Sequence, residues 1–131
     1  MAHTAELKLE GRTYKIIECE YEFNQPIRRS RQPAGHPSGG DIHLTLESPD
    51  SSDLFIHSWM QGTTEDKDGS IIFSVVSGGK PSIKRLHFTR GYCIRLYEYF
   101  NSAADAQMLT KITISAAEIA FGNVVFKNDE K

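Results

Sequence analysis

The residues able to do chemistry are few and scattered. There are five histidines, His3, His36, His43, His57 and His87, and two cysteines, Cys19 and Cys93. No two histidines stand at the spacing that sets two rings on one zinc ion. His43 and His87 fall on the polar phase of alternating runs, which makes them solvated or interface side chains. Both cysteines lie inside strand-like runs, away from any helix N-terminus that would stabilise a thiolate, so two reduced, buried thiols are expected. No G-x-S-x-G elbow holds a serine nucleophile. Asp66-Lys67-Asp68-Gly69 opens like a calcium loop, but Ser70-Ile71-Ile72-Phe73 follows and no glutamate closes it, so a plain turn is expected. Gly39-Gly40 and Gly78-Gly79 are isolated pairs that suit hairpin turns better than phosphate cradles. The expectation is no enzyme, no metal and no cofactor.

The other chemistry on offer is charge. Residues 24–40 hold three of the five prolines and three of the ten glycines, together with Arg28, Arg29, Arg31 and His36. A loop of this length in a compact domain is usually either functional or a solvated, disordered segment. Its arginines lack the interleaved aromatics that stack nucleic-acid bases. They suit an acidic protein face, such as one carrying Glu18, Glu20 and Glu22.

The frame that must position these residues is mostly strand. Ala5–Leu9 and Tyr14–Phe23 alternate in polarity around Glu10-Gly11-Arg12, which predicts a hairpin. In the second run Ile17, Cys19, Tyr21 and Phe23 form the apolar phase. Asp41–Glu47 alternates again, with Ile42, Leu44 and Leu46 on one face. A short helix follows, capped by Asp50 or Ser51, with Asp53 in its first turn and Leu54, Phe55, Trp59 and Met60 as its apolar face. It should stop at Gln61-Gly62 and cover one end or side of the sheet. Ile71–Val76, Ile83–Phe88 and Tyr92–Phe100 read as three antiparallel strands, with turns at Ser77–Lys80 and Arg90-Gly91. Asn101–Gln107 is a loop. Met108–Ser115 is a further strand, and Glu118–Phe126 another, broken at Gly122-Asn123. The sum is a mainly β protein: a small antiparallel barrel of seven or eight strands with one short α-helix. In Tyr92–Phe100 both phases are apolar, with Tyr97 and Tyr99 on one and Tyr92, Ile94, Leu96 and Phe100 on the other. Such a strand needs cover on both faces, from the helix or from another subunit.

Composition agrees with one ordinary globular domain over residues 1–131. Apolar residues make up 39% and charged residues 24%, and the net charge is −2. That balance calls for neither nucleic acid nor an acidic membrane surface. No apolar run is long enough to span a bilayer. The polar opening Met-Ala-His-Thr-Ala-Glu predicts no signal peptide.

Several stretches stand in a fixed order: Ala5–Gly11 with Tyr14, Gly39–Ser48, Leu54-Phe55, Trp59-Met60 and Asp68–Phe73. Tyr92, Tyr97–Asn101, Thr113–Ala116, Ile119 and Gly122-Asn123 complete them. Together they resemble the haemolysin-coregulated proteins (Hcp) that form the tube of bacterial type VI secretion systems, nearest the Bacteroidetes TssD branch. The resemblance implies a barrel with a side helix that closes into a homo-hexameric ring. It implies rings stacked into a tube, driven by a contractile sheath, tipped by a spike protein and able to carry effectors in the lumen. It also implies a cytoplasmic protein secreted through the apparatus itself. On that reading Pro26, Arg28, Arg29, Arg31, His36, Tyr97 and Tyr99 are the ring-stacking and subunit-interface residues. The competing reading is a monomeric barrel binding a small ligand in an apolar interior.

Overall fold

The structure is a computed structural model and describes residues 3–25, 27–32, 38–49, 52–62, 65–103 and 108–128. Nine strands and one helix are assigned among them: β1 (Thr4–Leu9), β2 (Arg12–Glu20), β3 (Phe23–Asn24), β4 (Ser38–Gly39), β5 (Ile42–Glu47), α1 (Phe55–Gln61), β6 (Lys67–Ser77), β7 (Lys80–Phe100), β8 (Met108–Phe121) and β9 (Val124–Lys127). The main sheet runs β5-β2-β1-β6-β7-β8-β9, and β8 also pairs with β5. That last pairing closes six strands into a barrel and leaves β9 as an outer hairpin arm. Closure removes the free strand edges that a sheet of this width would otherwise expose.

The turns follow their glycines. β1 and β2 are joined by Glu10 and Gly11, both at positive φ (49° and 79°), and β6 and β7 by Gly78 and Gly79 (58° and 79°). Two consecutive left-handed residues match the right-handed twist of the strands they join.

Four expectations need correction. First, β2 carries a bulge between Ile16 and Glu18. Tyr14 and Ile16 therefore face the core, while Ile17, expected inside, is 49% exposed. One extra residue flips the side-chain phase of everything after it. Second, Arg90-Gly91 is no hairpin turn. β7 runs unbroken from Lys80 to Phe100 and bends there, leaving β6 at Gly91 and following β8 as far as Phe100. Likewise β8 runs through residues 115–118, and the break falls only at Gly122. Third, Asp66–Gly69 forms no turn. Lys67 opens β6, a bulge lies between Lys67 and Gly69, and the Asp68 carboxylate accepts the Arg90 backbone N–H at 2.8 Å. Fourth, the 24–40 segment is not wholly irregular. Phe23 pairs with Gly39 and Asn24 with Ser38, a two-rung ribbon at its root.

The interior is filled by Leu7, Leu9, Tyr14, Ile16, Ile42, Leu44, Leu46, Ile71, Leu86, Phe88, Ile112, Ile114 and Ile119. α1 buries Ile56 and Trp59 rather than the predicted Leu54 and Met60, which are exposed. The predicted caps Asp50 and Ser51 lie outside the described residues. The helix starts after Leu54, and the Asp53 carboxylate accepts the Phe55 N–H at 3.0 Å. It ends at Gly62, as expected.

α1 sits over one end of the barrel. Asp53 meets Arg12 at 3.0 Å and accepts from the Tyr14 hydroxyl at 3.3 Å. Phe55 lies between the Arg12 guanidinium and the Lys67 ammonium, 4.6 and 4.9 Å from its centroid. The Trp59 indole N–H donates to the Gly91 carbonyl at 3.2 Å. Burial first, and the Asp53 charge second, raise the Tyr14 pKa above its ordinary value.

Cys93 is buried and Cys19 partly so, and both are free thiols. Burial pushes each up to about 11 from about 9, with the Glu20 charge adding to the shift at Cys19. A raised folded-state value contributes stability below pH ~9 that is lost as the pH climbs through ~11. Thiol titration at pH 8 is therefore expected to be slow in the native protein and fast in guanidinium. Cys19 should react before Cys93, and unfolding should become easier between pH 9 and 11. Rapid labelling of both thiols at pH 7 would contradict the burial.

Candidate functional site

Of the predicted interface residues, Tyr97 and Tyr99 lie toward one end of β8, and the root of the loop that carries the arginines lies toward the other. Tyr97 and Tyr99 lie on the second half of β7, opposite Lys111 and Leu109 of β8. This is the α1 end, where His57 Nε2 lies 3.1 Å from the Glu98 carboxylate. The root of the 24–40 loop lies by the other end of β8, where Phe23 meets Phe121. Leu109 and Phe121 are roughly 35–40 Å apart along the strand at its usual rise.

Alternation turns Tyr97 and Tyr99 outward, 46% and 47% exposed, and Phe100 on the other phase is 61% exposed. A bulge between Cys93 and Arg95 adds Ile94 to the outer surface, so Ile94 does not share a face with Leu96 as expected. Met108, Leu54 and Met60 extend the exposed apolar surface at this end. The Lys111 ammonium is 6.0 Å from the Tyr97 centroid, and the Tyr99 hydroxyl accepts from Asn101 at 3.3 Å. Exposed apolar side chains grouped at one end make this a candidate interaction surface.

Within the loop, Arg28, Arg29 and Arg31 are exposed. The Arg31 N–H donates to the Arg28 carbonyl and the Arg28 N–H to the Gln32 carbonyl, each at 2.8 Å, with Arg31 at φ 74°. None of the three forms an ion pair among the described residues. Pro26 and His36 lie outside the described residues.

A surface groove of about 580 Å³ runs along the outer wall between β2, β5, β8 and β7, lined by Glu18, Glu20, His43, Thr45, Arg95 and Lys111 among others. Thr45 donates to Glu18 at 3.4 Å, and His43 Nδ1 is 3.1 Å from the Thr113 hydroxyl. Charges of both signs line it. Alternation in β2 exposes Glu18 and Glu20 to sequence reading. Arg95 and Lys111 join them only because β5 pairs with β8, which no local pattern displays.

Near α1, Thr110 donates to Glu98 at 3.0 Å and is itself 2.7 Å from Ser48 Oγ. The order Ser48–Thr110–Glu98–His57 places the hydroxyls on the carboxylate, away from the imidazole. That is a structural tie between β5, β8, β7 and α1, and not the serine–histidine arrangement of a hydrolase. Among the described residues no cluster of three or more metal-ligating side chains occurs. No helix among them is long and apolar enough to cross a membrane.

The fold has clear relatives. Hcp1 from Flavobacterium johnsoniae superposes with a TM-score of 0.78 at 29% identity, covering 95% of this chain and 99% of that one. Hcp1 from the E. coli EAEC 042 pathovar gives 0.70 at 12% identity, covering 98% and 97%. A chain of the anti-feeding prophage baseplate gives 0.53 at 8% identity, covering 93% of each chain. No curated protein sequence matches this chain. The family model described as "Hemolysin coregulated protein Hcp (TssD)" matches residues 1–129. With six strands closed, a helix over one end and this match over nearly its whole length, the chain belongs to the Hcp (TssD) family of type VI secretion tube proteins.

Proposed function

We propose that six copies of this chain close into a ring and that rings stack head to tail into the secretion tube, with Pro26, Arg28, Arg29, Arg31, His36, Tyr97 and Tyr99 at the contacts. The observation that supports this is that the root of the arginine-bearing loop and the exposed tyrosines of β7 lie toward opposite ends of β8. Head-to-tail assembly needs two different patches on opposite sides of one subunit. On this reading the arginine loop is one patch and the exposed surface of Ile94, Tyr97 and Tyr99 is the other. Aromatic and arginine side chains are also the usual anchors of protein interfaces. The tube is driven out by a sheath behind a spike, and a lumen formed by the rings has room for effector cargo. On this reading the protein leaves the cell through the apparatus itself, from the cytoplasm. The monomeric ligand-barrel reading finds less support, because Leu, Ile, Phe and Tyr side chains fill the barrel and the groove of about 580 Å³ is external and lined by charges of both signs.

Light scattering after size exclusion tests the ring. Six copies of 14.7 kDa give about 88 kDa. A mass of one subunit at high concentration would sink the ring and return the ligand barrel to first place. Deleting residues 27–37 should leave a barrel of wild-type thermal stability and rings of the same mass, but shorten or abolish tubes seen by electron microscopy. Tubes of normal length from that deletion would remove the loop from the stacking contact.

A further inference from the structure

The 24–40 loop leaves the barrel at Phe23 and returns at Gly39-Gly40, and both points rest on one aromatic cluster. Phe23 stacks on Phe126 of β9, centroids 4.0 Å apart and planes 19° from parallel. Tyr21 meets Phe23 edge-on at 6.1 Å, and Phe121 does so at 6.4 Å. Phe121 in turn meets Phe126 at 6.3 Å and 84°. The Lys84 ammonium stands 5.1 Å from the Phe121 centroid. On the returning side the Gly40 N–H donates to the Glu22 carbonyl at 2.7 Å. Gly40 sits at φ 82°, and a Cβ there would come within 2.8 Å of both Phe23 and Ile119. The chain is thus pressed against the cluster where it re-enters.

β9 has little part in the barrel itself. It pairs only with β8, and six strands close without it. Val124 and Val125 are 55% and 45% exposed, whereas Phe126 turns inward onto Phe23. Past the strand, Asn128 is tied back by its backbone N–H to the Ala117 carbonyl and by its side-chain amide to the Ala116 carbonyl, each at 2.8 Å. The whole hairpin is therefore anchored so as to hold one ring against the root of the loop.

We propose that the β8–β9 hairpin is the mount that fixes where the chain leaves the barrel at Phe23 and re-enters at Gly39-Gly40, with Phe126 a positioning residue acting through Phe23. This rests on the reading of that loop as the stacking contact. Offset aromatic pairs favour definite geometries, so a stacked ring holds a strand end more narrowly than an aliphatic contact of equal area.

The test compares Phe126→Ala and Phe126→Leu with the wild-type chain by hydrogen exchange and mass spectrometry on the assembled protein. Amides of residues 21–25 and 38–42 should exchange at least tenfold faster in Phe126→Ala and to an intermediate degree in Phe126→Leu. Those of β1 and β6 should be unchanged. Unchanged exchange at the loop root would overturn the mount. So would an equal rise in every strand, which would make Phe126 a general stabiliser. Tube lengths are then measured on the same samples. Shortened tubes built from rings of normal mass are the expected result. A loosened root with tubes of normal length would keep the mechanical link and overturn its bearing on stacking, which is a failure of the loop assignment and not of the mount.

Discussion

Replacing Trp59 with alanine should cost about 3–5 kcal/mol of stability, the range for large aromatic truncations in a core. Trp59 is 1% exposed, and α1 has only seven residues. A helix that short has almost no stability of its own, so what holds it is tertiary packing. Ile56 and Trp59 are the only side chains it buries fully, and the indole N–H also satisfies the Gly91 carbonyl. Losing the ring removes apolar burial, leaves a cavity at the barrel end and strands a buried acceptor. Trp59→Phe restores much of the volume but not the donor, and should cost about 1–3 kcal/mol. The check is the shift in guanidinium midpoint at constant slope. A cost below about 1 kcal/mol for the alanine variant would mean that α1 is held by its surface contacts instead.

The second large effect centres on Phe88, which is fully buried between two glycines. A Cβ on Gly69 would lie 2.6 Å from Phe88 Cζ, and one on Gly91 would lie 2.7 Å from Phe88 Cδ1. Neither glycine has positive φ, so their role is room and not backbone freedom. Gly91→Ala also brings Ile114 within 3.0 Å, and Gly69→Ala brings Leu9 within 2.9 Å and the Lys8 carbonyl to 3.0 Å. Each substitution should cost about 1–3 kcal/mol by overpacking. The two act on one ring, so their effects should not add. Adding Phe88→Leu to Gly91→Ala should recover part of the loss, although Phe88→Leu alone destabilises. A double-mutant cycle with no coupling would show that the ring is not what the glycines accommodate.

Local pattern revealed most of the fold. The Glu10-Gly11 and Gly78-Gly79 turns, the Ile42–Leu44–Leu46 face and the Gln61-Gly62 helix end follow from chemistry within a few residues. What escaped it was longer in range. The bulges at Ile17 and Ile94 are single-residue insertions whose only local trace is a change of phase. Gly91 resembles a turn glycine because sequence cannot show the Phe88 ring that needs its space. Closure through β5 and β8 leaves no local signature. Of the proposed contact residues, the arginines were recognisable from density of charge in a proline-rich loop, and Tyr97 and Tyr99 from a strand with two apolar phases. The separation of Tyr97 and Tyr99 from the root of that loop required the register of β7 on β8.

The seam that closes the barrel also governs when it can form. Ile42 pairs with Ile114, 72 positions later in the chain. At roughly 5–20 residues per second of synthesis, β5 waits about 4–14 seconds for its partner to be made. Until then Ile42, Leu44 and Leu46 sit on an open edge with no second neighbour. A nascent subunit is therefore most prone to aggregation while β6 and β7 are being made, and binding by a chaperone should peak in that window and fall once β8 has emerged.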